Sequence, residues 1–207
     1  MKPYYDEEGI TLYCADAKDI LHELGTDVAD LVLTDPPYGL NEKMQGGTWG
    51  KKYSSGGMQD WDYKISPMML ALISAAGKHL IFWGGNYYSL PPSRCWLIWI
   101  KPPLPTLSDV ELAWTNLDAP AKSFFHPRIE HNGHPTSKPV KLMEFCILQV
   151  PNAKVILDPF CGSGTTLIAA KQLNRRAIGI EISEEYCKIA VDRLSQGQFD
   201  FGSESKI

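Results

Sequence analysis

Asp35-Pro36-Pro37-Tyr38 puts an acceptor carboxylate, two prolines and an aromatic ring in a row directly after an apolar run. That run, Ala29 to Thr34, has the β-branched and aliphatic content of a buried strand, which Pro36 and Pro37 cannot continue within a central ladder. Asp35 is therefore expected at a strand's carboxyl end, the edge where open parallel α/β sheets bind ligands. Two residues of fixed φ would hold the acid and the ring in set directions, as a reacting site requires. An ordinary proline-rich turn draws on the same residue types. The rest of the chain decides between the two.

A second constellation is "AKVILDPFCGSGTTLIAAKQL", a buried strand, an acid, a glycine-rich turn and a helix of small residues. Gly162 and Gly164 permit close backbone approach, and the N–H groups of the helix start can receive an anionic or polar ligand, as in a nucleotide or nucleoside cradle. No lysine follows the second glycine, which excludes a P-loop, and the spacing is not that of the dinucleotide GxGxxG. "RRAIGIEIS" then forms a strand ending in Glu181, an acid placed to accept hydrogen bonds from both hydroxyls of a ribose.

The elements that must carry these residues are legible in order. Thr11 to Ala15 reads as a strand, and Asp16 leads into a helix from Ala17 to Leu24, giving a β-α-β opening with the strand before Asp35. Residues 40–63, rich in Gly, Ser, Lys and Trp and without periodicity, are expected to form a mobile loop, a substrate lid or flexible filler. Ser66 caps a helix from Pro67 to Ala76. "HLIFWGGN", "CWLIWIKP" and "VELAWT" are strands, and the turn-rich "PPLPTLSD" between the last two suits an antiparallel pair at a sheet edge. "PVKLMEFCILQ" is a helix with proline in its first turn, and Ser183 caps a final helix, "EEYCKIAVDRL".

At 207 residues the chain is long enough for one well-buried α/β domain, read as spanning 1–207. The five cysteines are scattered, with no paired spacing for disulfides or zinc, which points to a reducing cytoplasm. His126, His131 and His134 lack carboxylate or Cys partners at ligand spacing and read as polar loop residues, so no metal is expected. Neither a signal-peptide core nor a membrane-length apolar run is present, so no membrane partner is expected. A net charge of −4 means that any nucleic-acid surface must be local. Lys43, Lys51 and Lys52 form one candidate patch, and Lys101, Lys122, Arg128, Lys138 and Lys141 another, although charge alone is satisfied by a solvated surface.

Taken together, "TDPPYG", "HPTSKPVKLM", "LDPFCGSGTT" and "GIEISEEYCKIA" resemble the amino-group DNA methyltransferases that use S-adenosylmethionine and release S-adenosylhomocysteine. The order, catalytic motif first and cofactor motif last, looks like the β class. "FWGGNYYSLPPSRCWLIW" and "DVELAWT" look like segments of small phage-type members. The resemblance implies a Rossmann-like α/β fold with a mixed seven-stranded sheet, an antiparallel strand near one edge and helices on both faces. It implies a cytoplasmic enzyme of a bacterial or phage-infected cell, of the restriction-modification type, with double-stranded DNA as partner.

Carried across, the resemblance makes Asp35, Pro36, Pro37 and Tyr38 catalytic. Phe160, Gly162, Ser163 and Gly164 would line the methionine part of the cofactor, with Asp158, Pro159, Cys161 and Thr165 in the same turn. Glu181, next to Ile182, would take the ribose, and Asp16, next to Ala17, the adenine. Ser137 and Lys138 would lie near the cofactor carboxylate. Residues 116–133 would be a short recognition segment. DNA contacts would come from Trp49, Lys51, Lys52, Lys122 and Arg128, and a homodimer would double the contacted surface.

The chemistry accounts for these residue types. The lone pair of an exocyclic base amine is delocalised into the ring, so the enzyme must hold both N–H bonds and favour a pyramidal nitrogen. Asp35 can accept one hydrogen bond and the Pro36 carbonyl the other. Tyr38 offers a face on which an extruded base can stack. Members of the family it resembles that carry Ser in place of Asp35 lean toward cytosine, so the resemblance implies the N6 of adenine, with cytosine N4 as the alternative. A non-catalytic DNA- or cofactor-binding protein is a further one, and methylation of RNA or protein a weaker one. Two departures stand out. The recognition segment is short, which leaves sequence specificity open, and "WIKPP" stands where an acid is expected after the tryptophan, which suggests altered DNA contacts with catalysis kept.

Overall fold

The computed structural model describes residues 1–39, 64–105, 108–127 and 138–196. The alternation of apolar runs with capped helices yields β1 (Tyr5–Glu7), β2 (Ile10–Cys14), α1 (Ala17–Leu24), β3 (Ala29–Thr34), α2 (Pro67–Ala75), β4 (Gly77–Trp83), β5 (Trp96–Ile100), β6 (Val110–Thr115) and β7 (Lys122–Phe125). There follow α3 (Val140–Leu148), β8 (Val155–Asp158), α4 (Thr165–Gln172), β9 (Arg176–Glu181) and α5 (Glu184–Ser195). Side-chain caps start three of the helices: Asp16 accepts from the Lys18 amide, Ser66 from Met69 and Ser183 from Tyr186.

Among the described residues the strands form one sheet in the order β1-β2-β9-β8-β3-β4-β6-β5-β7. β2, β9, β8, β3 and β4 are parallel. β6 runs antiparallel to both its neighbours, β4 and β5. The period of two in the central strands divides the interior. Leu31, Leu33, Ile81 and Trp83 point to the face covered by α3, α4 and α5, while Val32, Leu80 and Phe82 point to the face covered by α1 and α2.

Among the described residues the sheet has two strands more than the seven expected. β1 is a charged three-residue strand, with two of its residues exposed, paired antiparallel to β2 from Tyr5↔Leu12 to Glu7↔Ile10. β7 lies inside the segment read as a recognition element and pairs in parallel with β5. Neither buries an alternating apolar face, so the periodicity that reveals inner strands is absent from both.

The consequence for function lies in strand direction. The loops after β2, β3, β4, β8 and β9 leave from one edge of the sheet, and β6, running the other way, brings its first residues to that same edge.

Candidate active site

β3 is buried and lies between β8 and β4, with Leu31 level with Ile156 and Thr34 with Phe82. Directly beyond it, both oxygens of Asp35 are taken. The Tyr38 hydroxyl donates to Oδ1, and the Lys138 ammonium holds Oδ2. Lys138 Nζ also lies 3.2 Å from Glu111 Oε2, and Glu111 Oε1 accepts from Lys101 Nζ at 2.6 Å. The result is a run of four charges of alternating sign, Asp35, Lys138, Glu111 and Lys101.

Lys138 is only 8% exposed and sits 5.6 Å from the centre of the Trp83 ring. Burial alone would push its ammonium toward neutrality, but the charges of Asp35 and Glu111 outweigh that and raise its pKa. Burial likewise pushes the Glu111 carboxyl up, and the two lysines more than reverse it, leaving it below its ordinary value. Burial and the neighbouring Asp35 carboxylate hold the Tyr38 phenol well above its ordinary value.

Tyr38 does not offer an open ring in this arrangement. It stacks on Tyr87, with centroids 5.0 Å apart and planes 28° from parallel. It also packs so closely on Gly84 that a Cβ there would lie 2.1 Å from the ring. Gly84 has φ +64°, so glycine supplies both the turn and the room. The Tyr88 hydroxyl donates to the Pro37 carbonyl at 2.6 Å and fixes the rest of the turn.

The glycine-rich turn after β8 is built differently. Asp158 is buried and accepts from Thr34 Oγ1 at 2.9 Å and from the Phe160 amide at 3.1 Å, tying the end of β8 to the end of β3. Burial pushes its carboxyl up to about 6 against those hydrogen bonds. The Cys161 amide donates to the Ile180 carbonyl at 3.0 Å, and Glu181 accepts from the Gly162 amide at 3.0 Å and the Ser183 amide at 2.8 Å. Burial raises the Glu181 carboxyl despite these bonds. The Arg193 guanidinium donates to the Ser163 carbonyl at 2.7 Å, its hydroxyl at 2.9 Å and Thr165 Oγ1 at 3.3 Å. At Gly164, φ +79°, a Cβ would meet that of Ala190 at 2.9 Å, so this glycine is required by α5. At Gly162, φ +50°, a Cβ would meet nothing within 4 Å. Open space beside a backbone N–H turn, flanked by an anchored carboxylate, fits a nucleoside-bearing cofactor.

Asp16 and Ala17 reach the same edge, because the Ala15 amide donates to the Glu181 carbonyl at 2.9 Å. Asp16 uses one oxygen to cap α1, Pro159 is buried, Phe160 is half-buried and Ile182 is exposed. Lys138 was expected beside the cofactor carboxylate, and its ammonium lies on Asp35 and Glu111. Lys101 and Lys138, 6% and 8% exposed, are interior ion-pair partners, which removes both from the candidate basic surface. Lys122 is exposed on β7. Trp49, Lys51, Lys52, Arg128 and Ser137 lie outside the described residues. Sequence reading missed Glu111, although an acid in the otherwise apolar "VELAWT" was a usable signal. It also missed Arg193, which no spacing betrays. Among the described residues no group of three potential metal ligands occurs, and no helix is long and apolar enough to cross a membrane.

Comparison with known proteins agrees with this geometry. The N6/N4 methyltransferase family, described as DNA methylase, matches residues 91–192. The type II methyltransferase M2.LlaDCHI of Lactococcus lactis subsp. cremoris is 28% identical, covering 95% of this chain and 93% of its own length. M.ScaI of Streptomyces caespitosus is 26% identical over 93% of this chain and 84% of its own. The structure of the M1.HpyAVI–S-adenosylmethionine complex superposes with a TM-score of 0.64 at 24% identity, covering 89% of this chain and 99% of that one. The cytosine-N4-specific PvuII DNA methyltransferase gives 0.64 at 20% identity, over 93% and 88%. Both share the fold. The chain belongs to the amino-group DNA methyltransferases. It is an S-adenosylmethionine-dependent enzyme of DNA, acting on an exocyclic amine, adenine N6 or cytosine N4.

Proposed function

We propose that the amine is the N6 of adenine and that residues 1–207 act as one methyltransferase domain. The observation that carries this reading is Asp35 itself, a carboxylate rather than a hydroxyl at the strand end. It is held by a cation on one oxygen and by an exchangeable phenol on the other. A resemblance over a shorter stretch supports it. The DNA adenine methyltransferase YhdJ of Escherichia coli is 46% identical over 66 residues, 31% of this chain.

S-adenosylmethionine, when bound, supplies an electrophilic methyl group. The chain's residues fit it as follows. Gly162 leaves room for close approach, Ser163, Gly164 and Thr165 form the helix start that Arg193 holds, and Glu181 takes ribose hydroxyls with its remaining lone pairs. Asp16 faces the adenine. Asp35 and the Pro36 carbonyl accept the two N–H bonds of the base amine, so its lone pair is directed outward for in-line attack. The proton lost after transfer passes to Asp35 or to water. Tyr38, released from Asp35, and its stacked neighbour Tyr87 supply an aromatic surface for the extruded base. Lys122 contacts phosphate from the sheet's edge, together with Trp49, Lys51, Lys52 and Arg128, and pairing of two copies extends the DNA surface.

Incubation with labelled S-adenosylmethionine and mixed-sequence duplex DNA, followed by digestion to nucleosides, tests the reading. Label in N6-methyladenine is the expected result. Label in N4-methylcytosine overturns the choice of base and leaves the enzyme class standing.

A further inference from the structure

The run of charges beside Asp35 has a feature that neither burial nor stability explains. Lys138 could be an apolar residue, since buried ion pairs are often replaced by packed hydrophobics without loss of stability. Instead a nearly inaccessible ammonium is held between two carboxylates from distant segments. One follows β3 and the other opens the antiparallel β6. Glu111 is in turn neutralised by Lys101, whose ammonium lies 5.0 Å from the centre of the Trp99 ring.

The two bonds on Asp35 are unequal. An ammonium on a carboxylate makes a charge-assisted bond, roughly twice as strong as a neutral one. The Tyr38 phenol is an uncharged donor on a ring held by stacking with Tyr87. An incoming amine therefore exchanges with Tyr38 and leaves Lys138 in place.

We propose that Lys138 is a positioning residue for methyl transfer: anchored by Glu111, it claims Oδ2 of Asp35 and leaves Oδ1 as the single acceptor offered to the base amine. The inference rests on the DNA amino-methyltransferase reading and holds for either base. Lys138 touches neither substrate nor cofactor in this role. Glu111 acts only through Lys138, and Lys101 keeps Glu111 charged and in place. The antiparallel direction of β6 is what brings Glu111, near its start, to this edge.

Single-turnover methyl transfer by the full chain on duplex DNA, with cofactor affinity measured by calorimetry and folding by thermal unfolding, tests the proposal. Lys138→Met is expected to slow transfer about 100-fold, the scale of a small misplacement of a reacting group. Glu111→Gln, which keeps its shape at a half-exposed position, is expected to slow it about tenfold, within the coupling range of contacting residues. Cofactor affinity should stay within about twofold in both, because neither side chain faces the glycine turn. The double variant should be no slower than Lys138→Met, since Glu111 has nothing left to hold. A residue that merely supports the fold would give losses that multiply and follow the melting temperature. Parental rate in folded Glu111→Gln overturns the proposal, as does a multiplicative double variant or a loss confined to cofactor affinity. Should Lys138→Met not fold, Glu111→Gln decides alone. Digestion of the same product to nucleosides identifies the base separately, so a wrong base and a wrong role for Lys138 are distinguishable.

Discussion

The glycines of the turn after β8 take their bonds from the turn itself and from Glu181 on the strand beside it, with Arg193 of α5 bracing Ser163 and Thr165, whereas Asp35 and Pro37 after β3 are held by side chains from far along the chain. In the first, the Gly164 amide donates to the Cys161 carbonyl at 2.8 Å, and Glu181, 19 residues away, accepts from Gly162. In the second, Pro37 is tied to Tyr88 across 51 residues and Asp35 to Lys138 across 103. The difference separates two ways of keeping a loop ready for a ligand. A backbone turn that satisfies its own donors can be preorganised by local residue choice. At Asp35 the local donor, Tyr38, takes the oxygen that must be given up for chemistry, so the lasting hold on the carboxylate depends on Lys138, which only the folded sheet brings near.

The sharpest break of this comparison is Asp35→Ala. Methyl transfer should fall by about three orders of magnitude, within the range for a positioned acid or base. Calorimetry should show cofactor affinity unchanged. Equal loss of both would mean that the two turns do not divide the work.

Asp158→Asn asks whether the other acid of the pair of turns is structural. A buried acid whose folded pKa lies near 6 favours the protonated state. Its contribution to stability is full below the unfolded value near 4 and is lost as pH rises through about 6. Relative to the parent, the asparagine variant should thus gain on the order of 3 kcal/mol between pH 4 and pH 7, read by urea unfolding across pH. A difference that does not change with pH would remove the buried-acid account.

The two glycines sharpen the comparison within one turn. Gly164→Ala meets Ala190 and should cost roughly 2 kcal/mol of stability from overpacking and left-handed strain. Gly162→Val enters open space and should abolish cofactor binding at a smaller stability cost, from strain alone. Calorimetry and thermal unfolding on both variants check this, and unchanged affinity in folded Gly162→Val would show that the space is not the cofactor's. The smallest effect concerns DNA. Lys51→Ala with Lys52→Ala should reduce the salt slope of DNA binding by roughly 1 to 2 units while leaving cofactor affinity alone, as titration over a salt series would show.

The same contrast explains what could be read from the sequence. The inner strands, the capped helices and the glycine turn carry their instructions locally, in alternation, in Ser66 and Ser183 before apolar runs, and in the Asp158 to Thr165 turn. Glu181 was legible because its distance from Gly162 is part of the same local plan. The Asp35 and Glu111 partners of Lys138 could not be read in advance, because they come from the turn after β3 and from β6 and no spacing encodes that meeting. Glu111 did leave a local mark, an acid in the otherwise apolar "VELAWT", but its partners did not. β7 escaped because "KSFF" buries little and pairs with β5, a strand it follows only after the excursion through β6.

The pairing of Lys101 with Glu111 also sets a rule of inheritance. At 2.6 Å the two side chains form a pair of zero net charge, and Glu111 is at the same time the anchor of Lys138. An acid at position 101 would bring like charges together and draw Lys138 away from Asp35. Such a chain would need a compensating change at 111, so positions 101 and 111 are expected to change together across descendants of this chain.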